Sequence, residues 1–384
     1  MIVMLGWFIS TLRKAFWQHH HKDLLAIKGI TILYRHINLA AVLVTLLLHG
    51  ATVLADVSLS GYASVAAGRV TTGNEFLADY PKAGVYDNDW SFSPDTSIGV
   101  QLNAVLNNKF DFVIQAISNG ASDYDVDLDW AYIKYQLSSD VSLQAGRKRL
   151  PLYFYSDFFD VGYAYYWIRP PTDNYTWQIS NYNGLSLQYQ PYLGDWDVLL
   201  NLYAGREDSK NNDLLGLLYG VPVDETWKNM VGIVVELSKN WVELRATYME
   251  GQLDRVINHI VTDQDVKQDF SGVSVNFYPH NLIILSEFNQ YNTPSSDIHV
   301  DTNMLSLGYQ LGDFTPHVTR STFKQKVNAA GGDENHETSS IGVRWDVDKS
   351  TALKVQYDKV KDNGVAIPIR GDSEVISVGI DIVF

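Results

Sequence analysis

From Asp56 to the C-terminus, apolar residues recur at every second position in segments of about ten to twelve residues. In the last segment, one face is apolar: Ile376, Val378, Ile380, Ile382 and Phe384. The opposite face is mostly small or polar: Ser377, Gly379, Asp381 and Val383. Because side chains of a β-strand alternate between the two faces of its sheet, each segment predicts a strand with one apolar and one polar face.

The connections between these segments alternate in length. Every second connection is a tight turn of one to four residues, such as Asn107-Asn108, Lys239 or Gly312. The intervening connections are long and polar, at residues 70–95, 119–126, 150–176, 206–229, 251–267, 292–301, 325–337 and 361–373. Short turns at one rim and long loops at the other are typical of a transmembrane β-barrel, whereas alternation alone would also fit a soluble sandwich.

The pattern therefore predicts an all-β fold, a transmembrane antiparallel β-barrel of about sixteen strands. The strands are predicted near residues 57–69, 96–106, 109–118, 127–137, 140–149, 177–189, 195–205, 230–238, 240–250, 268–278, 281–291, 302–311, 313–324, 338–347, 350–360 and 374–384. An even number of strands places both termini at the periplasmic rim of short turns, and closure leaves no unpaired strand edge in lipid.

Composition favours this class and excludes others. The 23 tyrosines and ten tryptophans are numerous for a soluble domain, and both residue types favour the membrane–water boundary. The chain contains no cysteine, which excludes a disulfide framework, thiol catalysis and thiolate metal sites. A formal net charge of −15 argues against binding to nucleic acid, which needs a basic face.

Residues 1–55 have the pattern of a leader rather than of the barrel. They hold five basic residues and one acid, an apolar stretch at 39–48, and small residues near Ala55. A basic region, an apolar region and small residues before a cleavage site predict a signal segment that is cut after Ala55. An uncleaved anchor at 37–54 is the alternative. The barrel domain is then 56–384.

The alternating segments and their connections resemble those of the Gram-negative general porin family. Three features carry the resemblance: the opening strand VSLSGYASVAAGRV, the segment QAGRKRLPLYF at 144–154 before a long loop, and the terminal strand that ends in Phe384. The resemblance implies a sixteen-stranded barrel, commonly a homotrimer, in the outer membrane among lipid and lipopolysaccharide. It also implies that Phe384 is an assembly signal recognised by the barrel-assembly machinery.

In this family the third long loop folds into the barrel, and here the third long connection is 150–176. It is the most aromatic stretch of the chain, with nine aromatic residues between Tyr153 and Trp167. Such a loop should not extend into solvent, so we expect it to fold into the lumen as a constriction. The expected constriction residues are Tyr153, Tyr155, Asp157, Asp160, Tyr163 and Tyr166. A loop packed over a neighbouring subunit is the alternative.

Strand parity predicts a set of basic residues on the lumen wall: Lys134, Lys148, Arg245, Arg344 and Lys354. If they face Asp157 and Asp160 across a narrow gap, the resulting field would filter solutes by size and charge. The alternative is that any water-filled barrel has charged residues inside.

Four carboxylates alternate in the segment DYDVDLD: Asp123, Asp125, Asp127 and Asp129. Oxygen clusters of this kind suit a divalent cation, but the Gly and Glu of an EF-hand are absent, and a solvated acidic loop is the alternative. No other metal site and no cofactor is predicted. The sequence lacks a phosphate-binding glycine loop and hydrolase motifs, so we expect no enzymatic activity.

These observations favour an outer-membrane porin of a Gram-negative bacterium, a water-filled channel for passive diffusion of small hydrophilic solutes and ions. A substrate-selective channel for sugars, dicarboxylates or anions is a narrower alternative. A secreted soluble β-rich binding or adhesion protein is an alternative of another class.

Overall fold

A computed structural model describes residues 56–73, 75–327, 333–364 and 371–384. The predicted leader, residues 1–55, lies outside the described residues. Nineteen strands are present in the described part: β1 (Asp56–Gly73), β2 (Phe76–Asp79), β3 (Gly84–Tyr86), β4 (Ser97–Asn107), β5 (Phe110–Asn119), β6 (Val126–Gln136), β7 (Val141–Arg149), β8 (Asn181–Tyr189), β9 (Tyr192–Leu193), β10 (Trp196–Ser209), β11 (Val223–Lys239), β12 (Val242–Ile257), β13 (Ile260–Phe277), β14 (Leu282–Thr293), β15 (Ile298–Tyr309), β16 (Phe314–Val327), β17 (Glu334–Asp346), β18 (Thr351–Asp362) and β19 (Ser373–Val383).

Sixteen of these strands form one closed antiparallel barrel. Each strand pairs with its neighbour in the chain, and β19 pairs back onto β1, so the sheet has no free edge. The two-residue β9 extends the turn before β10, and β2 and β3 form a separate hairpin within the first long connection. The predicted fold class and strand number are thus confirmed, and each predicted strand overlaps one barrel strand.

The predicted division of the two faces is also present. On β17, Ile341 and Trp345 are exposed on the outer surface, whereas Arg344 between them is largely covered. On β18, Leu353 and Val355 are exposed, and Lys354 is buried inside. The outside of the barrel is therefore apolar and the inside polar, the reverse of a soluble protein. Among the described residues, no helix has the length and apolar character needed to cross a bilayer.

Tight turns at one rim use residues that tolerate a left-handed backbone. Asn240, between β11 and β12, has φ 52°, and Gly312, between β15 and β16, has φ 61°. Glycine and asparagine adopt this conformation at low cost, which is why such short connections can reverse the chain.

Two long connections differ from their predicted extent. The predicted loop at 251–267 is instead a continuation of β12 and β13, which turn only at Asn258-His259. Cross-strand ion pairs hold this extension: Lys228 Nζ lies 2.6 Å from Asp254 and 2.7 Å from Asp265. Beyond a bilayer both faces of a strand can be polar, so the extension carries no apolar alternation for a sequence pattern to detect.

The predicted loop at 206–229 is also shorter, because β10 and β11 extend into it. Its remainder contains a helix, α1 (Asp213–Tyr219). The Asn212 side chain caps α1 by accepting from the Leu215 backbone N–H, and Gly220 ends it in a left-handed conformation with φ 68°. These are ordinary start and stop signals of a helix.

Candidate functional site

The connection between β7 and β8, residues 150–180, lies inside the barrel and is called the internal loop below. Basic side chains of the wall donate hydrogen bonds to its backbone carbonyls. Arg245 on β12 donates to the carbonyl of Pro151 at 2.7 Å. Lys354 on β18 donates to the carbonyls of Gly162 and Trp167, both at 2.6 Å. These contacts fix the internal loop against the lumen face of the barrel.

The aromatic residues of the internal loop anchor it further. Trp167 is 1% exposed, and its Nε1 donates to Thr319 Oγ1 at 2.8 Å. Tyr166 donates to Ser306 Oγ at 2.7 Å, and its ring stacks on the His317 ring with centroids 4.7 Å apart. The aromatic rings of the internal loop thus pack against the barrel wall, as its aromatic content predicts.

Three more predicted constriction residues take part in this packing. The Tyr153 hydroxyl accepts from the backbone N–H of Trp177 at 3.0 Å. The Tyr155 ring meets Trp167 edge-on with centroids 5.6 Å apart. The Tyr163 ring lies beneath the Arg344 guanidinium, 4.5 Å from its carbon. Tyr153 and Tyr155 are buried, so they hold the loop in place rather than line an open passage.

Glu287 on β14 is a buried anchor that sequence reasoning missed. It accepts from the Phe154 backbone N–H at 3.2 Å and from the Tyr175 hydroxyl at 3.1 Å. Arg169 of the internal loop is a second missed residue, with ion pairs to Asp95 at 2.8 Å and Asp358 at 3.4 Å. In the sequence, Arg169 stands out as a single cation in an aromatic loop. Because a loop of this kind folds inward, its cation is buried and must be paired with a carboxylate.

Three residues of the predicted basic wall, Arg245, Arg344 and Lys354, contact the internal loop directly. Arg344 donates to the carbonyls of Tyr163 and Tyr165, at 2.6 and 2.9 Å, in addition to its pairing with Asp346. A backbone that leaves regular structure inside a barrel has carbonyls without partners, and these cations supply the donors.

Asp160 is likewise held and not free. It pairs with Arg149 of β7 and, at 2.8 Å, with Lys82 of the first connection. Burial alone would raise the pKa of Asp160, but the two cations outweigh it and lower the pKa to about 2. Asp160 is therefore ionised at neutral pH and serves as a charged anchor.

Asp157, Lys134 and Lys148 remain outside these anchoring contacts. Asp157 is exposed, and it interacts electrostatically with Lys148 on β7 and with Tyr132 on β6. Lys148 Nζ lies 5.3 Å from the centre of the Tyr132 ring. In the part of the chain that the structure describes, neither lysine has a carboxylate oxygen within 4.0 Å. Two partly exposed ammonium groups thus share the lumen face of β6 and β7 with a nearby carboxylate.

Lys134 and Lys148 lie on the wall opposite the strands to which most of the internal loop is attached. Below the rim, the internal loop bonds to strands from β12 round to β19. The opposite wall carries partly exposed polar side chains, among them Gln101 and Asn103, which hydrogen-bond to each other at 3.0 Å. We call the space between this wall of β4–β8 and the loop residues Asp157 and Phe158 the open lane.

The four aspartates of the DYDVDLD segment are not gathered together. Asp129 is buried, 3.3 Å from Arg149 and 2.9 Å from Asn181 Nδ2. Asp123, Asp125 and Asp127 are exposed, and a register shift in the β5–β6 pairing separates Asp129 from them. Within the described ranges, no group of three or more acidic or histidine side chains is arranged to hold a metal ion.

Phe384 lies where the barrel closes. Its backbone exchanges two hydrogen bonds with Gly61 of β1, at 2.8 and 2.9 Å. Its ring is 64% exposed on the outer surface, over the position where a side chain at Gly61 would be.

Comparison with known proteins agrees with this architecture. Residues 39–365 match the family model described as Gram-negative porin. The fold is similar to that of Salmonella typhi OmpF, solved with daunomycin, with TM-score 0.59, 15% identity, and coverage of 85% of this chain and 97% of that one. It is also similar to the anion-selective porin of Comamonas acidovorans, with TM-score 0.55, 12% identity, and coverage of 86% and 100%.

A third similar structure is Vibrio cholerae OmpT, an outer membrane protein folded in vitro and solved in a trimer form. Its TM-score is 0.56, its identity 10%, and the coverage is 86% of this chain and 99% of that one. No curated protein matches the sequence. At these identities the structures show the fold, and the family match covers most of the chain.

Proposed function

Because this chain belongs to the Gram-negative porin family, we propose that solutes cross it through the open lane and that the internal loop sets the lane's width. The protein is a β-barrel of the outer membrane, through which small hydrophilic solutes diffuse passively. The observation that carries the proposal is the uneven attachment of the internal loop: most of its hydrogen bonds reach β12–β19, whereas its bonds to β4 and β7 come from the strand ends at Ser97 and Arg149.

The chemistry of the open lane favours charged and hydrogen-bonding solutes. Its wall offers the ammonium groups of Lys134 and Lys148 and the amides of Gln101 and Asn103, and Asp157 approaches from the internal loop. Ions that pass between unpaired charges experience a field that depends on their sign. We propose that these five residues, and not the anchored Arg245, Arg344 and Lys354, tune the passage of ions.

The channel is proposed to work without catalysis and without a cofactor. The charged groups brought together inside the barrel, such as Arg149 with Asp160 and Arg169 with Asp358, are engaged in holding the internal loop. Transport then needs only a concentration gradient. An assay of ester hydrolysis by the purified protein would contradict this proposal if it found turnover.

The proposal is tested by removing the part of the internal loop that borders the open lane. Deletion of residues 156–166 should raise single-channel conductance in a planar lipid bilayer, because Asp157, Phe158 and the backbone behind them no longer narrow the lumen. Deletion of residues 256–261, at the tip of the β12–β13 hairpin, is the control and should leave conductance unchanged. Unchanged conductance in the first variant would place the constriction elsewhere, and a silent wild-type protein would contradict the channel itself.

We also propose that the protein forms a homotrimer. The similar OmpT of Vibrio cholerae was solved in a trimer form. In this chain, Trp90 and Phe92 are about half exposed in the segment that pairs with β1 through Ser91 and Gly68, and we propose that a neighbouring copy covers them. The mass of the detergent-solubilised complex, corrected for bound detergent, distinguishes one copy from three.

Two proposals concern biogenesis. Cleavage after Ala55 would release the barrel domain 56–384, and the intact mass of protein purified from outer membranes tests the cleavage position. Phe384 is proposed as the signal read by the barrel-assembly machinery, in a membrane whose outer surface is lipopolysaccharide.

A further inference from the structure

The hairpin formed by β2 and β3, residues 76–86, belongs to the first long connection yet lies within the mouth of the barrel. We call it the brace hairpin. Every residue of β2 is buried, and the Tyr86 side chain has no exposed surface. Phe76 and Tyr86 pack with Val70 of β1 and Val375 of β19 in one apolar cluster. A loop that only extended into solvent would not bury these side chains, so the brace hairpin is a fixed part of the interior.

The brace hairpin contacts the internal loop at Asp160. Lys82 Nζ lies 2.8 Å from Asp160 Oδ1, and both side chains are largely removed from water. Asp160 also pairs with Arg149 of the barrel wall, and its backbone carbonyl accepts from Ser97 Oγ at 3.1 Å. Asp160 therefore joins three elements: the wall, the internal loop and the brace hairpin.

A second contact lies at Arg169, nine residues further along the internal loop. The guanidinium carbon of Arg169 lies 5.0 Å from the centre of the Phe76 ring and 5.5 Å from that of Tyr86. The Tyr86 hydroxyl donates to Asp95 at 2.7 Å, and Asp95 also pairs with Arg169 at 2.8 Å. The cation is thus held between two rings of the brace hairpin and the carboxylate that follows it.

A third contact is indirect and is mediated by His336 of β17. The Tyr80 hydroxyl lies 3.2 Å from His336 Nε2, and His336 Nδ1 lies 2.7 Å from Asp173 of the internal loop. Asp173 accepts from Ser321 Oγ at 2.8 Å as well. The brace hairpin therefore meets the internal loop near residues 160, 169 and 173.

From these contacts we propose that the brace hairpin is the positioning element of the pore: Lys82, through Asp160, fixes the segment of the internal loop that borders the open lane. This inference rests on the proposed function, since it concerns what sets the width of the same lane. Asp157 and Phe158 precede Asp160 by three and two residues and form a single 3-10 turn with Ser156. A turn this short cannot fix its own position, whereas a buried ion pair at its end can.

The test compares Lys82→Met with wild type in planar lipid bilayers. Methionine keeps an apolar stem of similar length and removes the charge, so the turn at 156–158 should move and open-channel current noise and brief closures should increase. Lys82→Arg should restore wild-type traces, because a guanidinium can still pair with Asp160. Lys109→Met, in the exposed turn between β4 and β5, is the matched control and should behave as wild type.

Hydrogen exchange provides a readout that a general loss of stability would not reproduce. In Lys82→Met, amides of residues 156–164 should exchange about tenfold faster, because a charged hydrogen bond that limits local opening is lost. Amides of β12–β18 should keep their wild-type rates. Equal noise and equal exchange in Lys82→Met and wild type would overturn the inference even if wild type conducts, whereas a non-conducting wild type would overturn the proposed function instead.

Discussion

At the residue scale, pairing separates the cations that build the interior from those that remain available to solutes. Lys354 is buried and pairs with Asp381 at 2.8 Å, while two loop carbonyls take its other protons. Lys134 and Lys148 face the same lumen but have no carboxylate that close in the described chain. A paired charge presents little net field to a passing ion, so parity alone is a poor guide to selectivity.

This distinction predicts the effect of two substitutions on ion selectivity. The double change of Lys134 and Lys148 to Gln should shift the reversal potential in a salt gradient toward cation preference, because Asp157 then dominates the open lane. The shift should be largest at low ionic strength, where charges are least screened. The control is Lys349→Gln, in the exposed turn between β17 and β18. An unchanged reversal potential in the double variant would mean that ions follow another route.

Asp79 of the brace hairpin carries a second prediction at this scale. Burial raises the pKa of Asp79 from 3.8 to about 6, with Asp160 and Asp95 adding to the rise and Lys82 opposing it. A carboxyl whose folded pKa is raised makes its full contribution to stability below its unfolded pKa, and that contribution is lost progressively as pH rises from the unfolded pKa to the folded pKa. Asp160, with its lowered pKa of about 2, acts in the opposite sense and loses its contribution as pH falls below 3.8.

The brace hairpin should therefore be most firmly held near pH 4, above the range in which Asp160 loses its contribution and below the range in which Asp79 loses its own. Hydrogen exchange of residues 76–86, corrected for the intrinsic pH dependence of exchange, should show protection that falls between about pH 4 and pH 6. In Asp79→Asn this fall should disappear, because asparagine stays neutral throughout. A fall of the same size in the variant would assign the pH dependence to another group.

At the scale of elements, the sequence pattern predicts the strand segments that cross the membrane and misses the strand extensions that lie outside it. All sixteen barrel strands were predictable because lipid on one side and water on the other enforce alternation. The upper halves of β12 and β13 were missed, since Arg255 pairs there with Glu225 at 2.7 Å and with Asp263 at 3.4 Å, beyond any apolar boundary. Ion pairs between strands leave no periodic signal in one sequence.

The internal loop shows the same limit within the candidate site. Its inward fold was predictable from aromatic density and from the family resemblance, because nine aromatic rings between Tyr153 and Trp167 need cover. Its partners were not, since Lys82 and Asp160 lie 78 residues apart and Asp173 and His336 lie 163 apart. Such pairings depend on how the closed barrel brings distant connections together.

At the scale of the whole molecule, closure of the barrel and export to the membrane make separate demands on the C-terminal residue. The backbone of Phe384 completes the ladder between β19 and β1 through its bonds with Gly61, and an unpaired amide in lipid would cost several kcal/mol. The ring contributes little to that ladder, because it lies largely exposed on the outer surface. Closure therefore depends on the backbone of Phe384, which substitution by alanine leaves intact.

Phe384→Ala should consequently fold in detergent with a thermal midpoint close to that of wild type, yet reach the outer membrane in much lower amount if the ring is the assembly signal. Ile382→Ala is the matched control, since Ile382 shares the strand and the outer face. It removes a comparable apolar side chain and should leave outer-membrane yield near that of wild type. Quantified yields from membrane fractions distinguish recognition of the terminal ring from a general effect of apolar surface. A loss of yield confined to Phe384→Ala would indicate recognition of the ring. Equal losses in both variants would indicate the general effect.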